Sequence, residues 1–289
     1  MAGALDTFAN ETRFGFVALN VAAIAPVVDW YHRQAGFTIL RQDLRHALLG
    51  IRANQQALLA VRQPPQPVAA HATAGLQAVT IMVPNRRVIG SVYGWFAGAD
   101  AEPPAVFRTG LSTGFAVRDP AGNRVNFAYD EGSDGAIPVK YDWRDWQERP
   151  AAASRIAPIR GSNHQELPTG TSIGAAALGV TDFTAALQYL TAGIGFTLQG
   201  QAGGQAWLTV GDATHHIGLT VSLDNTLARR GPDDTGLDYI NLVVPTASAL
   251  ELVAATLDHS GLGTYHYDEA RHYLNATGPN GIMFWFSVA

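Results

Sequence analysis

A single offset organises this chain. A shift of 159 residues carries Leu19 onto Leu178, Val21 onto Val180, Gly36 onto Gly195 and Phe37 onto Phe196. The same shift carries Pro120 onto Pro279 and Gly122 onto Gly281, inside DPAGNRVNF and GPNGIMFWF. Around Phe16 the chain reads FVALNV and then a helical pattern ending in WYHRQAGFTIL; around Ala175 it reads AAALGV and ends in YLTAGIGFTL. One offset kept over about a hundred residues signals two halves built on one plan.

Each half divides again. The first unit opens with an apolar, β-rich stretch at 14–21. A helix is predicted from Ile24 to Gln34, with Val27, Val28, Trp30 and Tyr31 at helical spacing and Gly36 to end it. Strands TILRQ, HALLGI and ALLAV follow, and PPQPV breaks the pattern. The second unit runs LQAVTIMVP, a helix at RRVIGSVYGWF, then VFRTGL, GFAVRD and RVNFAYD, with DPAGN as the last hairpin turn. The third has a helix from its N-cap Asp182 to about Ala192, then FTLQGQ, AWLTVG and HHIGLTV. The fourth has LDYINLVVP, a helix capped by Thr246, then TYHYDE, HYLNAT and IMFWFSV.

The predicted fold class is α+β: four βαβββ modules paired into two cupped, mixed or antiparallel sheets with outer helices. Two modules are assigned to an N-terminal domain at 1–130 and two to a C-terminal domain at 172–289. Residues 131–171 form a linker rich in Pro, Gly, Ser and Ala. Its aromatic stretch KYDWRDW is expected to pack across a sheet. A module with one apolar face cannot bury that face alone, and the concave spaces that paired modules enclose suit small molecules.

Composition narrows the function classes. With 47% hydrophobic and 15% charged residues, a chain of 289 residues can bury a sizeable core. A net charge of −5, with 19 scattered Lys and Arg, argues against nucleic acid. The absence of cysteine excludes disulfides, thiolate metal sites and a Cys nucleophile. MAGALDTFANETR lacks a secretory pattern and no apolar run reaches membrane-spanning length, so the expected location is the cytoplasm.

The four modules and the DPAGN and GPNG turns resemble the vicinal oxygen chelate superfamily, which includes glyoxalase I, bleomycin-resistance proteins and extradiol dioxygenases. AWLTVGDATHHIGLTV is similar to a strand pair of the two-domain, catechol 2,3-dioxygenase-like members. The resemblance implies two His and one Glu in each metal-binding half, on the opening strands of its two units and on its last strand. In this sequence those positions are Ala175, Tyr239 and Trp285 in the C-terminal half, and Phe16, Ala78 and Asn126 in the N-terminal half. Ala and Phe carry no donor lone pair, and Trp offers only N–H. A shift of one residue in the opening strands supplies only Asp238, which strand alternation would turn away. The expected cofactor is therefore none, the alternative being Fe(II) or Mn(II).

His215 and His216 are the sharpest residues that remain. The resemblance implies a place for His215 beside a substrate, where an imidazole suits acid–base work. His266 is a second candidate, and His272, Asp268 and Glu269 lie near it on one hairpin. His215 and His266 are the candidate catalytic residues if the protein is an enzyme. The candidate ligand contacts are His215, Tyr239, His266, Met283 and Trp285. Trp285 with Met283, Tyr239 and Phe16 suggests an apolar or planar ligand, and the C-terminal half is expected to hold the better pocket. The leading reading is a metal-free protein that binds a small hydrophobic or aromatic molecule for sequestration, resistance or sensing. The alternative is a ring-cleaving dioxygenase or lyase-like enzyme with relocated ligands. A third class is an interaction protein with filled cavities, in which Tyr141, Trp143 and Trp146 anchor a homodimer.

Overall fold

The computed structural model describes residues 12–68, 72–97, 103–132, 143–156, 166–210 and 218–289. The first module is β1 (Arg13–Asn20), α1 (Ile24–Arg33), β2 (Thr38–Gln42), β3 (His46–Ile51) and β4 (Gln56–Arg62). The second is β5 (Gly75–Met82), α2 (Arg86–Phe96), β6 (Ala105–Arg108), β7 (Ser112–Arg118) and β8 (Arg124–Asp130). A short strand in the linker, β9 (Arg149–Pro150), follows. The third module is β10 (Ser172–Val180), α3 (Phe183–Gln188), β11 (Thr197–Ala202), β12 (Gln205–Thr209) and β13 (Gly218–Leu223). The fourth is β14 (Gly236–Val244), α4 (Ala247–Ser260), β15 (Thr264–Asp268), β16 (Tyr273–Thr277) and β17 (Met283–Val288).

Local chemistry accounts for these boundaries. In α1 the buried residues Ile24, Val27, Val28 and Tyr31 fall on one stripe, and Pro26 sits in the first turn, where its missing N–H costs nothing. Asn85, Asp182 and Thr246 cap α2, α3 and α4 by accepting backbone N–H bonds with their side chains. The glycines that the offset aligns share a left-handed backbone: Gly36 and Gly195 at φ 77° and 98°, Gly122 and Gly281 at φ 86° and 78°. The third helix departs from expectation. It is α-helical only to Gln188 and continues as a π turn over Tyr189–Ile194.

Among the described residues the strands form two mixed sheets. The eight-stranded sheet runs β15-β16-β17-β14-β1-β4-β3-β2, and the nine-stranded sheet β11-β12-β13-β10-β5-β8-β7-β6-β9. The compact units do not follow the halves of the chain. One gathers residues 1–20, 64–77 and 174–289, and the other 21–63 and 78–173.

In the first of these units β1 pairs antiparallel with β14. The register sets Phe14, Val17 and Leu19 against Leu242, Ile240 and Leu237, so one apolar face meets another. The opening strands of all modules are apolar, and their pattern does not say which copy pairs with which. Leu250, Val253 and Leu257 of α4 are buried, as are Phe284 and Phe286 of β17. The second unit centres on Phe115 and Phe127, stacked at 5.5 Å and both fully buried, with Phe96 of α2 at 5.7 and 5.8 Å.

Trp143–Trp146 forms a 3-10 turn, Trp146 is half-buried, and Pro150 and Arg149 of β9 pair with Phe107 and Arg108 of β6. Tyr141 lies outside the described residues, as does the Trp143 side chain. No helix among the described residues is long and apolar enough to cross a membrane.

Candidate functional site

Alternation in β14, β16 and β17 sorts their side chains onto two faces. Ile240, Leu242, Leu274, Phe284 and Phe286 are buried on one. Tyr239, Tyr273, Asn275, Met283 and Trp285 are half-buried on the other. A bulge in β1 adds to this second face. Phe14 pairs with Leu242 and Val17 with Ile240, so β1 spends one more residue than β14 between them. Gly15 and Phe16 occupy the bulge. A Cβ at Gly15 would overlap Oδ1 of Asn241, so the glycine makes room for that amide. Asn241, 3% exposed, donates from Nδ2 to the Trp285 carbonyl at 3.0 Å and to Ser287 Oγ at 3.2 Å, holding β14 and β17 in register.

The result is a continuous row of rings. Phe16 meets Tyr239 edge-on at 5.8 Å. Tyr239 lies 5.2 Å from Trp285, and Trp285 stacks on Tyr273 at 5.1 Å and 29°. His266 closes the row 6.1 Å from Tyr273. Centroid spacings of this size are those of favourable aromatic pairs. Met283 pairs with Tyr239 and lies on the same face. Asn275 stands between His266 and Trp285 in cross-strand register and offers an amide. The face thus combines a planar apolar surface with a few polar groups, the usual make-up of a small-molecule site.

The structure regroups the residues singled out from the sequence. Phe16 joins Tyr239 and Trp285, although it belongs to the other half of the chain. Ala175 does not join them; it pairs with Gly218 in the nine-stranded sheet. Ala78 and Asn126 share a face of the second unit, with Ala78 opposite Arg124 and Thr80 opposite Asn126. His215 and His216 lie outside the described residues. His266 is on the aromatic face but exposed, and His272 is an exposed turn residue at φ 52°. Asp238 accepts from Asn20 Nδ2 at 3.4 Å, while Phe16 and Trp285 are the ring neighbours of Tyr239.

Two residues escaped the sequence reading. Tyr273 completes the row of rings. Its signal was the period of two, because it precedes Asn275 by two residues on the same strand and must share its face. Glu148 comes from the linker and accepts from Asn126 Nδ2 at 2.9 Å. No sequence period leads to it.

The aromatic face does not fit the metal that the resemblance implies. Fe(II) or Mn(II) would need imidazole and carboxylate donors. Phe16, Tyr239 and Trp285 present rings and one phenol, and no three His, Cys, Asp or Glu converge among the described residues. At Asn126 the amide is turned with Nδ2 toward Glu148 and Thr80.

Comparison with known proteins gives a full-length relative and neighbours in fold. No protein-family model matches the chain. A catechol-2,3-dioxygenase from Bacillus subtilis (strain 168) is 25% identical over 297 residues, spanning 96% of this chain and 98% of that protein. Among solved structures, a Bacillus subtilis protein assigned as a dioxygenase superposes with a TM-score of 0.60 at 13% identity, over 97% of this chain and 86% of that one. Glyoxalase I from Zea mays superposes with a TM-score of 0.56 at 12% identity, over 96% and 92%. The superpositions are likenesses of fold, and they extend over nearly the whole chain. By that fold and by its full-length relative, the chain resembles the vicinal oxygen chelate superfamily.

Proposed function

We propose that this protein binds a small planar aromatic or hydrophobic molecule on the face formed by Phe16, Tyr239, Tyr273, Met283 and Trp285, without a metal ion. The observation that carries the reading is the unbroken row of rings from Phe16 to His266, at positions that include three where the superfamily's metal ligands would stand. A flat ligand would extend the stack that Trp285 and Tyr273 begin. Asn275 and His266 would set its orientation through hydrogen bonds. Sequestration is the simplest activity for such a site. Metal analysis of protein purified without chelator tests the metal-free part: the reading expects less than stoichiometric Fe, Mn, Zn or Ni, and one bound equivalent would overturn it.

A ring-cleaving dioxygenase is the second reading, favoured by the Bacillus subtilis relative that carries that name. It requires donors other than those of the aromatic face. Incubation with catechol and Fe(II), followed by the yellow ring-cleavage product, separates the readings. Turnover that scales with bound iron would establish the enzyme and displace the binding protein.

A further inference from the structure

One amide on the aromatic face has no structural task. Leu274 and Ala276 of β16 are fully buried on the core side, and alternation turns Asn275 between them onto the face of the rings. There it is half-buried. Its cross-strand partners are Trp285 on one side and His266 on the other, each roughly 5 Å away between Cα atoms. Tyr273 stands two residues along the same strand. Both flanking rings make their contact with Tyr273, at 5.1 Å for Trp285 and 6.1 Å for His266. Rings therefore border Asn275 on three sides.

The same cross-strand row holds a second amide, which makes the contrast. Asn241 lies on the far side of Trp285, and the fold satisfies it through the Trp285 carbonyl and Ser287 Oγ. The Asn275 amide has no hydrogen-bond partner among the described residues. It keeps a donor and an acceptor side by side in one plane. Bulk water satisfies both only while the face is uncovered. A flat molecule resting on Trp285 and Tyr273 displaces that water. A hydrocarbon then leaves the amide unpaired, a penalty that opposes the stacking. A molecule with a donor and an acceptor adjacent on its edge offsets the penalty with two hydrogen bonds, the geometry in which asparagine pairs with adenine.

We propose that the aromatic face selects planar heteroaromatic molecules with a lactam or amidine edge, and that Asn275 is the residue that reads that edge. The inference rests on the reading of this face as a ligand site and narrows the class of ligand. The Asn275 side-chain N–H donates to the ligand's carbonyl or ring nitrogen, and Oδ1 accepts from the neighbouring N–H of the ligand. Stacking on Trp285 and Tyr273 accepts any flat ring, so it supplies affinity without choosing. The amide supplies the choice, because a ligand that lacks the matching groups leaves it unpaired.

The test titrates the full chain with 1-naphthol, 2-quinolone and N-methyl-2-quinolone. The two quinolones share one flat bicyclic frame, and only the first carries an N–H beside its carbonyl. All three are expected to bind the unsubstituted protein, 2-quinolone about tenfold or more tightly than its N-methyl form. In Asn275→Leu, which keeps the side-chain shape, that ratio is expected to fall to near one. Binding of 1-naphthol together with equal affinity for the two quinolones would overturn the inference and leave the aromatic site standing. A preference that survives Asn275→Leu would also overturn it, since the methyl group would then act by bulk alone. Failure of all three to bind would remove the site itself, and the inference with it. Should Asn275→Leu not fold, the two quinolones compared on the unsubstituted protein decide the outcome.

Discussion

Gly15 and Asn241 are fitted to each other. The bulged glycine lets the Asn241 amide lie against the strand, and that amide holds the Trp285 carbonyl and Ser287 in place. A methyl at position 15 would overlap Asn241 Oδ1 and come within 2.9 Å of Val243 Cγ2. Gly15→Ala is therefore expected to destabilise the fold by about 1–3 kcal/mol, the cost of overpacking a filled site. Urea denaturation followed by circular dichroism measures this, and an unchanged midpoint would show that Asn241 moves aside freely. Phe16 and Trp285 stood out in the sequence because the resemblance to the superfamily implies metal ligands at their positions. Their contact through Tyr239 was not legible, because it depends on a bulge and on a pairing of strands from opposite halves of the chain.

At the scale of elements, helices and turns are joined by buried polar contacts that also set a pH response. Tyr31 of α1 donates its hydroxyl to Asp119 Oδ2 at 3.1 Å, and Asp119 also accepts from the backbone of Ala121 and Asn123 within the DPAGN turn. Burial raises the Asp119 carboxyl above its ordinary value, against hydrogen bonds from Asn123, Tyr31 and Ala121 that lower it. Burial and the nearby Asp119 charge raise the Tyr31 hydroxyl well above its ordinary value, so it remains a donor through the neutral range. The folded chain therefore holds the Asp119 proton to higher pH than the unfolded chain, whose carboxyl titrates near about 3.9. This contribution is fully present below that value and is lost as pH rises through the raised folded value. Relative to Asp119→Asn, the unsubstituted protein is expected to be more favoured at acid pH than at neutral pH. Paired denaturation curves at the two pH values check this, and the opposite trend would contradict it.

The elements themselves were largely written in local patterns. The stripe of Ile24, Val27, Val28 and Tyr31, and the caps Asp182 and Thr246, announce their helices through spacing and side-chain chemistry. The π turn at Tyr189–Ile194 was not announced, because LQYLTAGI has the same apolar spacing in either helical form. The pairing of β9 with β6 was also hidden. A two-residue strand has no period, and Arg149–Pro150 reads as loop.

At the scale of the molecule, the four-module plan follows from one offset, whereas the assembly of modules does not. Repeats of similar apolar pattern can pair in more than one order, and only three-dimensional complementarity selects β1 with β14. The candidate site is formed by that selection. The central claim is that the aromatic face of the first unit, and not a metal centre, holds the ligand. Titration of metal-analysed protein with 1-naphthol, a planar aromatic without a carboxylate, tests it directly, using Trp285→Ala and Asn126→Ala for comparison. The account predicts saturable binding that Trp285→Ala weakens at least tenfold, equivalent to about 1.4 kcal/mol, and that Asn126→Ala leaves unchanged. Binding that Trp285→Ala leaves intact, or that appears only after Fe(II) or Mn(II) is added, would contradict it.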